Sequence, residues 1–231
     1  MISIQNLSKE YNGTKVLDIE NVEIRRGESI GLVGNNGAGK TTLFSLLLDL
    51  IQASTGEIHI NGVNVHQSDS WKQFTGSFLD ETFLIGYLTP EEYFYFIGEL
   101  QGVRKEDVDI FVGQYDEFFN GEILQKNKYI RDLSKGNQKK VGIIGALIGN
   151  PELIVLDEPF ANLDPSSQFR LKKLIRDLIE QREVTIIISS HDLSHTVEIS
   201  NRIIALEKGK IIKDIQTSAE TLEELNALFA V

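Results

Sequence analysis

The sequence predicts an α/β fold, with a mainly parallel sheet, an antiparallel β part at the N-terminus and a helical lobe inserted into the core. Three observations predict it. Strand patterns alternate with helical patterns in both outer parts of the chain, as parallel strands and their crossover helices do. Asn12-Gly13 and Asn61-Gly62 each separate two extended runs, a strong hairpin signal. Between about 82 and 146, aromatic-rich helical spacing replaces the strand patterns.

In chain order, Ile2, Ile4 and Asn6 alternate with Ser3 and Gln5, and a second extended run over 16–24 follows Asn12-Gly13. These are antiparallel strands. Ser29-Ile30-Gly31-Leu32-Val33 reads as a buried strand feeding a glycine-rich loop and a helix over 41–51. Glu57-Ile58-His59-Ile60 and Val63-Asn64-Val65 flank the second Asn-Gly pair. In the inserted lobe Tyr93, Phe94, Phe96 and Leu100, then Phe111, Tyr115, Phe118 and Phe119, recur at helical spacing. The core resumes with a strand over 153–156, a helix over 166–181 with Leu171, Leu174, Ile175 and Leu178 on one face, and a strand over 184–188. Lys208-Gly209 closes another hairpin, and Leu222, Leu225, Leu228 and Phe229 mark a packing helix. The expectation is one domain over 1–231, with a core lobe at about 1–80 and 150–231 and a helical lobe at about 82–146.

Composition excludes several classes. With 231 residues, 41% hydrophobic and 25% charged, the chain is an ordinary globular one, neither disordered nor fibrous. Its 23 basic and 34 acidic side chains give a net charge of −11, which repels nucleic-acid phosphates and anionic lipid. No nucleic-acid partner is expected. The absence of cysteine removes disulfides, thiolate metal sites and cysteine nucleophiles. Met1-Ile2-Ser3-Ile4-Gln5-Asn6 lacks the pattern of a signal peptide and no apolar run approaches 18 residues, so the chain is expected in the cytoplasm.

Gly34-Asn35-Asn36-Gly37-Ala38-Gly39-Lys40-Thr41 matches the phosphate-loop (Walker A) pattern and lies between a strand and a helix, as that pattern requires. Backbone N–H groups wrapping an anion need residues without Cβ at the tight positions, and the helix N-terminus adds a positive dipole. Lys40 is placed for the β- and γ-phosphates and the Thr41 hydroxyl for Mg²⁺, while Thr42 chiefly helps the helix begin. Leu153-Ile154-Val155-Leu156-Asp157-Glu158-Pro159 is an apolar strand ending in two carboxylates, at the sheet edge where α/β folds bind ligands. One carboxylate can hold the Mg²⁺ shell and the next can act on water. A lone Asp-Glu is often a solvated loop or helix cap; beside a phosphate loop the catalytic reading wins.

At this point the chain resembles the ATPase subunits of ATP-binding cassette (ABC) transporters. Leu133-Ser134-Lys135-Gly136-Asn137-Gln138 looks like the family's LSGGQ signature, Ala161-Asn162-Leu163-Asp164 like its D-loop, His191 like its switch histidine, and Tyr11 like the aromatic that stacks on adenine. Each has a plainer alternative. Ser134 is also a good N-cap, a role compatible with aiming a helix N-terminus at the partner subunit's γ-phosphate. His59, His66 and His195 carry no motif, and Trp71 reads as packing. The chain departs from the family at Ser77-Phe78-Leu79-Asp80-Glu81-Thr82, where the usual Gln is missing and Asp80 is the stand-in, able to approach Mg²⁺ or its water. Lys135 and Asn137 replace the first Gly and the Gln of the signature, and Lys135 is expected to face solvent.

The resemblance implies a head-to-tail dimer, homomeric or heteromeric, closing over two ATP molecules with Mg²⁺. Glu158 would act on the attacking water, with Lys40 and His191 as the other catalytic groups. It further implies a separate membrane permease, with Phe83, Tyr87 and Phe94 as candidates for the docking groove, Phe94 equally a candidate for the core of the helical lobe, and so a peripheral position on the inner face of the membrane. The short sequence after the last hairpin and the Leu-Ser-Lys-Gly signature lean toward export. The competing class is a soluble ABC ATPase of the cofactor-assembly type. Translation and DNA-repair members fit poorly, having two cassettes or long coiled coils, and a guanine reader is missing because Asn127-Lys128-Tyr129-Ile130 lacks its Asp.

Overall fold

A computed structural model describes residues 1–182 and 184–229. The chain runs through β1 (Ile2–Tyr11), β2 (Thr14–Ile24), β3 (Ser29–Val33), α1 (Lys40–Leu47), β4 (Thr55–Ile60), β5 (Val63–Asn64) and a 3₁₀ turn at Ser70–Phe74. Next come β6 (Thr75–Phe78), a 3₁₀ turn at Glu81–Phe83, α2 (Pro90–Leu100), α3 (Lys105–Gly113), α4 (Asp116–Phe119), a 3₁₀ turn at Ile130–Asp132 and α5 (Lys135–Gly145). The rest is β7 (Leu153–Leu156), α6 (Pro165–Arg182), β8 (Thr185–Ser190), α7 (Leu193–Ile199), β9 (Arg202–Glu207), β10 (Lys210–Gln216) and α8 (Thr221–Phe229).

Two sheets result. One is antiparallel with order β2-β1-β4-β5, and the other has order β10-β9-β3-β8-β7-β6, with every pair parallel except β9 and β10. The α/β class with an antiparallel N-terminal part is therefore the observed one. The period-2 geometry of strands divides the core. Leu153 and Val155 of β7 and Ile187 of β8 face the antiparallel sheet and α1, where Ile2, Ile4, Leu17, Phe44 and Leu47 are buried. Ile154, Leu156, Ile186 and Ile188 face the other way, onto α5, α6 and the aromatic residues of α2 and α4. Among the described residues no helix is long and apolar enough to cross a membrane.

Two details differ from the sequence expectations and a third decides between two of them. The helix expected over 41–51 ends at Leu47, because Asp49 is left-handed (φ +50°) and the Leu50 and Ile51 N–H groups both turn back to the Ser45 carbonyl. β6 was not expected. Thr75-Gly76-Ser77-Phe78 becomes a strand by pairing with β7, and a Cβ on Gly76 would strike the Ala146 carbonyl oxygen. Phe94 is 1% exposed and stacks on Phe119, so it belongs to the core and not to a docking groove. Trp71 is buried, as expected, and its indole N–H donates to the Val65 carbonyl. α8 packs through Leu225 against Val33, Ile203 and Ala205, the packing role its spacing predicted.

Candidate active site

Parallel pairing aligns the carboxyl ends of four strands. Phe78 of β6 pairs with Leu156 of β7, Leu156 with Ile188 of β8, and Ser190 with Val33 of β3. The segments that leave these ends carry Asp80, then Asp157 and Glu158, then His191, then the loop from Gly34 to Lys40, so residues far apart in sequence share one sheet edge. The Asp157 N–H donates to the Phe78 carbonyl (2.9 Å) and fixes the β7 exit beside β6.

The loop has the shape its glycines predict. Gly39 sits at the N-cap of α1 with φ +110°, and no side chain caps that helix end. A Cβ on Gly34 would strike the Leu206 carbonyl oxygen. Lys40 is buried and donates to the Gly34 carbonyl (2.6 Å) and the Asn35 carbonyl (3.4 Å), folding its ammonium back under the loop. Backbone donors at an uncapped helix start, with an ammonium beneath them, make an anion site. Gly34, Asn35, Asn36, His191 and Leu193 line a cleft there together with Phe229.

The two carboxylates are held differently. Asp157 is buried, its Oδ2 accepts from the Thr41 hydroxyl (2.8 Å), and its Oδ1 accepts from the Ser189 hydroxyl. Ser189 in turn accepts from the Glu158 N–H (3.0 Å). Glu158 is left-handed (φ +46°), a conformation that costs an ordinary residue about 1–2 kcal/mol and persists only where its surroundings impose it. Its Oε2 lies 2.7 Å from His191 Nδ1 and its Oε1 4.0 Å from Lys40 Nζ. Its carbonyl accepts from Lys139 Nζ (2.7 Å) and from the Ala161 N–H (3.3 Å).

Ser134 caps α5 by accepting from the Asn137 N–H (3.2 Å), and Lys135 is exposed, as expected. A Cβ on Gly136 would come within 2.8 Å of the Asn162 carbonyl oxygen, so the signature-like turn and the D-loop-like turn of one chain lie in contact. Asp164 accepts from the Ser166 hydroxyl and from both the hydroxyl and the N–H of Ser167, which holds its carboxyl well below the usual range. Tyr11 is half-exposed at the β1–β2 hairpin, with Lys9 Nζ 4.9 Å from its ring center. Asp80 is exposed and accepts from the Thr82 N–H (2.8 Å), and hydrogen bonding from Thr82, its side chain first and its backbone second, lowers the Asp80 pKa. Phe83 and Tyr87 are 60% and 73% exposed.

Sequence reasoning missed Ser189 and Lys139. Ser189-Ser190 at the end of an otherwise apolar β8, directly before His191, was a readable signal for the first. For Lys139 only the structure serves, since the pair Lys139-Lys140 on a helix reads as a solvated face.

Residues 17–161 match the family model described as ABC transporter. The chain is 35% identical over 223 residues to an uncharacterized ABC transporter ATP-binding protein of Methanocaldococcus jannaschii, covering 91% of this chain and 76% of that protein. It is 32% identical over 236 residues to the petrobactin import ATP-binding protein of Bacillus subtilis, covering 97% and 92%. Its fold matches a solved dimeric ATP-binding cassette in a post-hydrolysis state, bound to ADP and Pi, with a TM-score of 0.84 at 23% identity, covering 95% of this chain and all of that one.

Proposed function

The chain belongs to the ABC transporter family and is an ATP-binding ATPase of it, and from this premise we propose how its residues hydrolyze ATP and to what they couple it. The meeting of Lys40, Thr41, Asp157, Glu158 and His191 at one sheet edge carries the proposal. The loop from Gly34 to Thr42 wraps the phosphates with backbone N–H groups, Lys40 leaves its two carbonyl partners for the β- and γ-phosphates, and the exposed Tyr11 ring takes the adenine.

Thr41 and Asp157 fit Mg²⁺, since their oxygens converge to 2.8 Å at the mouth of the loop. A cation that prefers few protein oxygens plus phosphate and water suits such a pair. When bound, Mg²⁺ neutralizes charge on the β- and γ-phosphate oxygens. Asp80 is engaged in its own turn, and we leave it outside that pair.

Glu158 takes a proton from the attacking water as the water oxygen bonds to the γ-phosphorus and the bond to the ADP oxygen breaks. His191 steadies that carboxylate through its 2.7 Å contact. Ser134 and Gly136 serve the second subunit of a dimer, where the α5 N-terminus meets the other chain's γ-phosphate. Phosphoryl transfer of this kind is mostly positioning and charge stabilization.

The exposed Phe83 and Tyr87 are the docking point for the permease, which places the protein on the cytoplasmic face of the membrane. The Leu133-Ser134-Lys135-Gly136 signature favors export. Transport assayed in inside-out vesicles with the copurified permease decides this, and uptake into intact cells, as the name of the Bacillus subtilis relative describes, would reverse it.

Glu158→Gln tests the catalytic assignment. ATP binding is expected to persist while turnover falls by roughly a hundredfold or more. Turnover within a few-fold of wild type overturns the assignment of Glu158 as the base.

A further inference from the structure

Lys139 has no part in the reading above, yet its ammonium is among the more deeply buried charges in the chain. Its side chain is 6% exposed in the second turn of α5, and burial pulls its pKa below the ordinary lysine value against the opposing pull of Glu81. Its Nζ donates to the Glu158 carbonyl at 2.7 Å and lies 3.7 Å from Glu81 Oε1. Glu81, in the 3₁₀ turn after β6, is itself only 10% exposed at the side chain, and its Oε1 is buried without a hydrogen bond. An ion pair taken out of water contributes little net stability, and an apolar side chain of similar volume commonly does as well there.

What this pair does hold is a backbone conformation. Glu158 is left-handed, and its carbonyl has two donors, Lys139 at 2.7 Å and the Ala161 N–H at the longer 3.3 Å. The side chain reaches His191 and Lys40 from that backbone position.

We propose that Lys139, seated by Glu81, is a positioning residue for hydrolysis: its hydrogen bond to the Glu158 carbonyl holds the loop in the conformation that aims the Glu158 carboxylate into the site. Lys139 acts through the Glu158 backbone. The inference rests on Glu158 being the group that acts on water.

Removing Lys139 alone strands the Glu81 carboxylate in the interior, so the informative variants are paired. Glu81→Gln with Lys139→Met removes both charges and the donor. Glu81→Gln with Lys139→Gln removes both charges and keeps a donor. Thermal melting establishes folding, and steady-state phosphate release and nucleotide titration are measured in the full chain. The expected result is a Gln/Met pair with KM and nucleotide affinity within about threefold of wild type and kcat reduced at least tenfold, and a Gln/Gln pair with kcat restored to within about threefold. Two folded pairs with equal activity, or a kcat loss matched by an equal loss of nucleotide affinity, overturn the proposal. Glu158→Gln runs beside them. If it is silent while the Gln/Met pair turns over normally, the role of Lys139 alone is wrong; if it turns over normally, the assignment of the base falls first and this inference with it.

Discussion

His191 Nδ1 lies 2.7 Å from Glu158 Oε2, across 33 residues of sequence, and the other carboxylate oxygen is 4.0 Å from Lys40. The His191 contact is thus the one hydrogen bond among the described residues that sets the direction of this carboxylate, with the Lys40 charge facing its other oxygen. Cutting His191 back to Ala frees one side and leaves the phosphate loop untouched. His191→Ala is expected to lower kcat by roughly a hundredfold, at the low end for loss of general acid-base function, with nucleotide affinity nearly unchanged. Phosphate release and nucleotide titration on the same preparation check it, and a parallel fall in both quantities contradicts the assignment.

Ser189 is fully buried, donates to Asp157 and accepts the Glu158 N–H, so it ties the two carboxylate residues together from below. Ser189→Ala leaves that N–H without an acceptor, at a cost of about 1–3 kcal/mol. For a chain of this size that is a Tm drop of roughly 2–4 °C for each kcal/mol. Calorimetry is expected to show the drop, and kcat is expected to fall with it because the Asp157 carboxylate loses a donor and the Glu158 backbone loses the acceptor of its N–H. An unchanged Tm would mean that the hydroxyl is replaced by another acceptor.

Much of this site was legible because its signals are local. The phosphate loop announces itself through glycine spacing between an apolar strand and a helix, and Asp157-Glu158 through their place at the end of four apolar residues. β6 was hidden because Thr75-Gly76-Ser77-Phe78 has no strand pattern of its own and becomes extended only by pairing with β7. Phe94 was left between the docking groove and the core because helical spacing shows that a face is apolar without showing which neighbor covers it, here Phe119. Lys139 was invisible for the opposite reason: the sequence offers two adjacent lysines on a helix, and burial of both is decided by what packs over α5.

Gly136 tests the signature-like turn. The nearest atom to an added Cβ is a backbone carbonyl oxygen, that of Asn162 at 2.8 Å, and a backbone cannot step aside like a flexible side chain. Gly136→Ala is expected to push the α5 N-terminus and the 161–164 turn apart, cost about 1–3 kcal/mol of stability, and lower turnover at least tenfold while nucleotide binding at the chain's own phosphate loop persists. Binding lost along with turnover would place Gly136 in the chain's own site and not in its partner's.

Phe83 and Tyr87 lie outside the core, so removing them is a clean test of docking. The Arg131 guanidinium sits 4.7 Å from the Tyr87 ring center, a surface cation–π contact that the substitution removes. Phe83→Ala with Tyr87→Ala is expected to shift stability by no more than about 0.5 kcal/mol for each exposed site. The same variant is expected to lose a copurifying membrane protein. Copurification that survives both changes removes these side chains from the docking surface.

Asp164 gives the acid dependence a sign. The Ser166 and Ser167 hydroxyls and the Ser167 N–H all donate to its carboxylate at the start of α6, and these bonds favor the charged form, so its folded pKa lies well below the usual value near 3.9. Between the folded and the ordinary value the unfolded chain binds the extra proton, so falling pH favors unfolding there. The stability that Asp164 contributes is therefore complete above about pH 4 and drains away as the pH drops toward the folded pKa. Asp164→Ala is expected to melt below wild type at pH 7 and equally so at pH 5, with the difference narrowing between about pH 4 and pH 2. Asp164→Asn keeps an acceptor oxygen and is expected to fall between the two at neutral pH. A difference that stays constant down to pH 2 would show that the three hydrogen bonds do not distinguish the charged carboxylate from the neutral one.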